Sequence, residues 1–223
     1  MARTRRRISR REIKEDRFIL WLFEISSEID KHKRTLIAGI AVVILGIAGV
    51  YYWLNKQADD LVEASKLFAP GQTAMQQNRY DDAITIFERV VDGYGRTPLA
   101  IEATINLAKA YFNTEDYENA RKHYQIFLDE YGNHNAIYKL TALSGLAACD
   151  EEEEKYAEAA RQYLDLVDED NKSYLAAGFL LDAARCYKAA DQKKQARDLY
   201  LRVVENYGST PYARDAQIAL TAL

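Results

Sequence analysis

The sequence predicts an all-α protein in three parts: a basic head with an amphipathic helix (residues 1–34), a single membrane-crossing helix (35–55), and an α-solenoid (56–223) of about four helix pairs plus a C-terminal capping helix. Three observations carry this expectation. An uncharged apolar block interrupts an otherwise polar chain, a helical pattern returns four times at near-constant spacing, and only Pro70, Pro98 and Pro211 punctuate the repeated region. No β-branched runs alternate with polar residues there, so helix is the default.

The head carries eleven Lys or Arg against six acids, a net of about +5. Within it, Phe18, Trp21, Leu22, Ile25 and Ile29 recur at helical spacing, with Glu24, Ser27, Glu28 and Asp30 mostly elsewhere. Such a helix suits either an anionic inner leaflet, with Trp21 at the membrane interface, or a partner's cytoplasmic loop. Aromatic and basic residues do not interleave as in nucleic-acid readers, so nucleic acid is not an expected partner.

Residues 35–55 contain no charge. As a helix rising about 1.5 Å per residue they reach about 32 Å, the thickness of a bilayer's hydrocarbon core. Tyr51, Tyr52 and Trp53 fit an interfacial belt at the outer end of the span. The basic head places the N-terminus in the cytoplasm and the 169 residues beyond residue 54 outside, in a bacterium the periplasm. A cleaved signal peptide competes with this reading, but its apolar stretch is short, close to the start and followed by small residues.

The outer portion holds 19 basic and 28 acidic residues, a net of about −9 hidden within the overall −4. That balance argues against a polyanionic ligand. Its length suffices for one buried core. Cys149 and Cys186 are too few for a disulfide framework and lie among alanines and leucines, which predicts buried, reduced thiols.

The repeated pattern reads YDDAITIFERVV from Tyr80, YENARKHYQIFL from Tyr117, YAEAARQYLDLV from Tyr156 and KKQARDLYLRVV from Lys193, at offsets of 37, 39 and 37. Each copy sets a small residue (Ala83, Ala120, Ala159, Ala196) four before an aromatic (Phe87, Tyr124, Tyr163, Tyr200), so both share a helical face. A second helix-period segment precedes each later copy, over residues 100–112, 137–149 and 173–188. The unit is therefore helix, turn, helix, and stacking such pairs builds a continuous core. Tyr94-Gly95, Tyr131-Gly132 and Tyr207-Gly208 predict left-handed glycine stops. Thr97 and Thr210 followed by Pro98 and Pro211 predict capped helix starts. The third unit departs from this scheme: it ends at residues 167–171 without glycine, and its inter-helix turn, Asp150 to Lys155, reads as one residue longer.

The pattern resembles the tetratricopeptide repeat: leucine, a small residue and tyrosine on the first helix, then alanine and an aromatic on the second. In the second unit these are Leu107, Ala108, Tyr111, Ala120 and Tyr124; in the fourth, Ala183, Ala184, Tyr187, Ala196 and Tyr200. The first unit keeps Gly71, Ala83 and Phe87 but has Pro70 in the leucine position, which predicts a bent or late first helix. The layout of basic head, span and repeats is similar to ancillary Sec-translocon subunits of bacterial inner membranes and to periplasmic cell-division coordinators. That resemblance implies a non-enzymatic, partner-binding subunit of the inner membrane, working near the translocon with periplasmic chaperones. Self-association in envelope or division-site assembly is the alternative, with Gly39 and Gly46 as a possible packing stripe in the span.

Motifs for chemistry are missing. HExxH, CxxC, GxSxG, GxGxxG and the P-loop do not occur, and His32, His123 and His134 are scattered, so neither metal nor cofactor is expected. The acidic run from Asp150 to Glu154 lacks the alternation and glycine of a calcium loop and reads as a solvated turn. The expected binding surface is the concave face lined by first helices, at Glu102, Ile105, Lys109, Phe112, Leu181, Arg185 and Lys188. Ile105, Phe112 and Leu181 supply apolar contact there, and Lys109 and Arg185 pair with acidic groups of a peptide or partner segment. The competing reading packs some of these side chains against neighbouring helices instead.

Overall fold

The computed structural model describes the backbone of residues 10–169 and 174–223, with side chains defined at Trp21, 32–35, 37–167 and 175–223. The arginines before residue 10, the apolar side chains of 17–30 other than Trp21, and the segment 170–173 lie outside the described residues. Among the described residues there are nine helices and no strand: α1 (Arg10–Gln76), α2 (Tyr80–Tyr94), α3 (Pro98–Asn113), α4 (Tyr117–Tyr131), α5 (Ala136–Glu152), α6 (Tyr156–Glu169), α7 (Tyr174–Ala189), α8 (Lys193–Asn206) and α9 (Pro211–Thr221). The chain divides into two units, Met1–Lys56 and Gln57–Leu223, and α1 contributes residues to both.

In the first unit the described backbone is helical throughout. A head helix separate from the span does not occur; no proline interrupts residues 10–56 and the first glycine is Gly39, so nothing in the chemistry ends a helix between them. One stretch, beginning at His32, is long and apolar enough to cross a membrane, and its apolar window is not buried. Trp21, Tyr51, Tyr52 and Trp53 are all more than half exposed.

The second unit stacks four helix pairs, the end of α1 with α2, α3 with α4, α5 with α6 and α7 with α8, and α9 closes the series. The small-plus-aromatic pattern explains the stacking. Ala83, Ala120, Ala159 and Ala196 are fully buried, and Phe87, Tyr124, Tyr163 and Tyr200 are at most 4% exposed. Each buried aromatic contributes about 2–3 kcal/mol from area removed from water.

Every within-pair turn has three residues, and the third matches the rest because α5 runs on to Glu152. In each turn the residue two before the second helix is left-handed: Asn78, Glu115, Glu154 and Asp191, with φ of 56°, 62°, 63° and 58°. The expected left-handed glycines are not found. Gly95 and Gly132 are right-handed at φ −54°. Smallness is what they supply, since a Cβ on Gly132 would lie 2.6 Å from the Leu128 carbonyl oxygen. Thr97 caps α3 by accepting from the Ala100 amide at 3.3 Å. Thr210 holds the same extended backbone and, like Thr97 to Tyr94 at 2.9 Å, donates its hydroxyl back to the Tyr207 carbonyl at 2.7 Å, but it accepts no cap bond.

Pro70 does not end or delay the first helix. α1 continues through it to Gln76, with Ala64, Phe68, Gly71 and Ala74 buried. Pro70 and Lys66, whose carbonyl loses its helical donor, are both exposed, so water can satisfy that carbonyl.

Candidate functional site

α3 contacts α5 and α7 contacts α9, and side-chain bridges join α1 to α3 and α5 to α7, so first helices of successive pairs lie beside one another. These polar bridges cross between pairs. Gln72 Nε2 on α1 donates to Glu102 Oε1 on α3 at 3.3 Å. Tyr138 on α5 also bonds Glu102, and burial first and then that carboxylate push the Tyr138 phenol up.

Farther along, Arg185 on α7 grips Glu151 on α5 with both arms of its fork. Nε lies 2.7 Å from Oε1 and Nη2 lies 2.8 Å from Oε2. Its remaining arm, Nη1, reaches Asp182 Oδ1 at 2.8 Å. The Glu151 hydrogen bond is the main reason the Arg185 guanidinium is held above its ordinary value. Burial pushes the Asp182 carboxyl up against the opposing pull of Arg185.

The sequence-predicted site residues therefore separate. Glu102, Lys109, Phe112, Leu181 and Lys188 are partly exposed, with Phe112 and Leu181 also packed against the cores of their own helix pairs. Ile105 does not belong with them: it is 1% exposed, in a core with Ala108, Tyr124 and Phe127, because its position on α3 turns toward α4 and α5. Arg185 is exposed, yet its donors are committed to Glu151 and Asp182, so it is not a free cation waiting for a ligand. Lys109 is the contrast. Its ammonium has no hydrogen-bond or ion-pair partner among the described residues, and burial lowers its pKa. Phe112, one turn further on, sets its ring edge to face Tyr117 with centroids 5.4 Å apart.

The acidic run is not a solvated turn throughout. Asp150 is only 7% exposed and accepts from Arg121 Nη2 at 2.9 Å and Gln162 Nε2 at 2.5 Å, with Lys155 Nζ at 3.6 Å. It ties α4, α5 and α6 together. Nothing local distinguishes it from four acidic neighbours, so the sequence alone missed it. Cys149 and Cys186 are buried and unbridged. No cluster of three or more His, Cys, Asp or Glu suited to a metal occurs among the described residues.

Comparison with known proteins agrees with the repeat register. The family model for the tetratricopeptide repeat-like domain matches residues 30–177, and that for the tetratricopeptide repeat matches 179–210. The chain is 23% identical over 188 residues to the outer membrane protein assembly factor BamD of two Xylella fastidiosa strains, 9a5c and Temecula1. That alignment covers 84% of this chain but 57% of the relatives, so the chain spans little more than half their length. Two crystal structures of a putative kinesin light chain with nearly identical TPR-like repeats, from Podosopora anserina, superpose with a TM-score of 0.59 at 18% identity, covering 71% of this chain and 83% of theirs. At that identity the likeness speaks to fold. With two thirds of its length matched, the chain belongs to the tetratricopeptide repeat-like domain family, a scaffold for protein–protein interaction.

Proposed function

We propose that the protein is a non-enzymatic, single-pass membrane-anchored scaffold whose repeat unit binds protein partners on the periplasmic side of a bacterial inner membrane, assisting protein export beside the translocon and its chaperones. One observation carries the reading: a repeat unit of an interaction family follows, in the same chain, a helix whose apolar window is unburied and long enough to cross a bilayer. Eleven basic residues in the head, against only Lys56 and Lys66 within residues 56–70 beyond the span, support the orientation. The partner segment lies along the first-helix face, against Phe112 and Leu181, within reach of Glu102, Lys109 and Lys188. Tyr51, Tyr52 and Trp53 serve the membrane interface; on the unbroken α1, Trp21 lies about 21 Å before the span.

The likeness to an outer membrane protein assembly factor favours a second reading, envelope assembly, in which self-association through the span or the repeats does the work. A photo-crosslinking residue placed at position 112, in cells, separates the two. Adducts with translocon or chaperone components support the first, and adducts between copies of the chain support the second. Protease added to intact spheroplasts should remove the repeat unit; its survival overturns the periplasmic placement.

A further inference from the structure

Head and span keep one register along α1. Phe18, Ile25, His32, Gly39 and Gly46 are seven residues apart, and so are Leu22, Ile29, Leu36, Val43 and Val50. The two series alternate at spacings of four and three, and the backbone is one helix over all ten positions. They therefore fall on a single stripe, in the pattern of a coiled-coil seam. The nearby charges are ordered too: Glu24, Asp30, Lys31 and Arg34 fall at outer positions, whereas Glu28 and Lys33 flank the stripe on opposite sides. In the span, Gly39 lies in an open groove with His32, Thr35, Ile40, Val43 and Ile44. A Cβ added at Gly39 or Gly46 would meet nothing within 4 Å among the described residues.

We propose that two copies of the chain pair in parallel along this stripe, as a left-handed coiled coil running from Phe18 in the head to Val50 in the span. Lipid does not cover the head's share of the stripe. On the unbroken α1, Ile25 lies about 15 Å and Phe18 about 26 Å before residue 35, whereas the headgroup zone adds only about 5–7 Å beyond the hydrocarbon. A protein helix must cover it, and the flanking charges select a second copy. In a parallel pair each flanking residue faces the one five positions further along the other helix, so Glu28 meets Lys33 of the second copy on both sides of the seam. Any other helix has to match the same seven-residue register on both sides of the membrane boundary. Seven residues against 3.6 per turn drift by about 20° per heptad, which a left-handed supercoil takes up. Within lipid, where apolar burial gives no drive, the glycines let two backbones approach. Two tethered repeat units then present a bivalent surface, which raises the effective concentration of their sites for any partner. This rests on the membrane-crossing reading above, and it gives self-association a definite surface that includes the head.

The test uses the full-length chain at low expression in native membranes, with Cys149→Ala and Cys186→Ala removing the natural thiols and limited proteolysis checking that the repeat unit stays folded. Leu22→Cys, Ile25→Cys and Ile29→Cys place single thiols on the seam, and Glu24→Cys, Ser27→Cys and Lys31→Cys place them away from it. Isolated membranes are then oxidised. Identical positions bridge only where their Cα atoms lie within about 7 Å, so dimers containing both of two differently tagged copies should form on the seam and be about tenfold scarcer off it. With Ile25→Cys as reporter, Glu28→Lys and Lys33→Glu should each lower the dimer yield about threefold, and the two together should restore it. Equal bridging at all six positions, no bridging on the seam, adducts with another protein in place of the second copy, or charge reversals that fail to compensate each overturn the pairing. Loss of the chain from the membrane fraction overturns the membrane-crossing reading itself.

Discussion

Arg185 holds both carboxylate oxygens of Glu151, at 2.7 and 2.8 Å, across the boundary between the third and fourth helix pairs. The bidentate geometry raises this pair above an ordinary surface ion pair, although Arg185's side chain is 54% exposed and solvent screens it. Arg185→Gln and Glu151→Gln should each cost about 1 kcal/mol. The double variant should cost less than the sum of the two, read from urea unfolding of all three, because they break one interaction. Strict additivity would show that the contact is not energetically coupled.

Glu115 and Glu154 sit at φ 62° and 63°, where a Cβ meets the following carbonyl. Replacing either with glycine should stabilise the protein by about 0.5–1 kcal/mol, the relief of strain exceeding the extra unfolded-state entropy. Thermal melting of the two single variants and the pair checks this. Alanine at the same positions, which keeps the Cβ, should give no such gain.

Gly145 on α5 faces the ring of Tyr124 on α4 so closely that an added Cβ would collide with it. Gly145→Ala should therefore destabilise by about 1–3 kcal/mol despite alanine's better helix propensity. Combining it with Tyr124→Leu should restore part of the loss, as chemical denaturation of the pair will measure.

His123 stacks on Tyr111 with ring centroids 5.4 Å apart, and its Nδ1 is buried without a hydrogen-bond partner. Burial first, and then the Lys122 charge, lower its pKa below the ordinary 6.5, against the opposing charges of Glu88 and Asp92. The unfolded chain then binds the proton more readily than the native one. Stability associated with His123 is intact above pH 6.5 and falls as the pH drops through the folded pKa. Replacing His123 with leucine should flatten the decline in melting temperature between pH 7 and pH 5.5.

Burial pushes the Cys149 thiol up to about 11 and the Cys186 thiol up to about 12. Both side chains are fully buried. A thiol-reactive chromophore should label neither in the native protein and both in denaturant, without prior reduction. Labelling of only one, or a need for reductant, would contradict the free, buried state.

The helix-pair register was legible because its signal is local. Alanine four residues before an aromatic defines a face in any helix, and a 37-residue offset repeats it wherever the chain lies. The turns were legible only in place, not in conformation: glycine after tyrosine marked a stop, but the left-handed residues proved to be Asn78, Glu115, Glu154 and Asp191. Those side chains tolerate the position because three-residue turns, closed by bonds such as Lys155 amide to Asp150 carbonyl at 2.8 Å, leave no other path.

By itself the sequence determined the all-α class, the repeat length and the apolar stretch long enough for a bilayer, since each depends on periodicity and composition along one strand of chain. Tertiary structure decided which polar residues remain free. Ile105 was drawn into the core, Asp150 was enclosed by three donors, and Arg185 was claimed by Glu151, 34 residues away. Lys109 kept its ammonium without a hydrogen-bond or ion-pair partner among the described residues, with burial lowering its pKa against the Glu102 charge. Pairing of charges is settled by which helices meet, and that information lies between repeats rather than within any one of them.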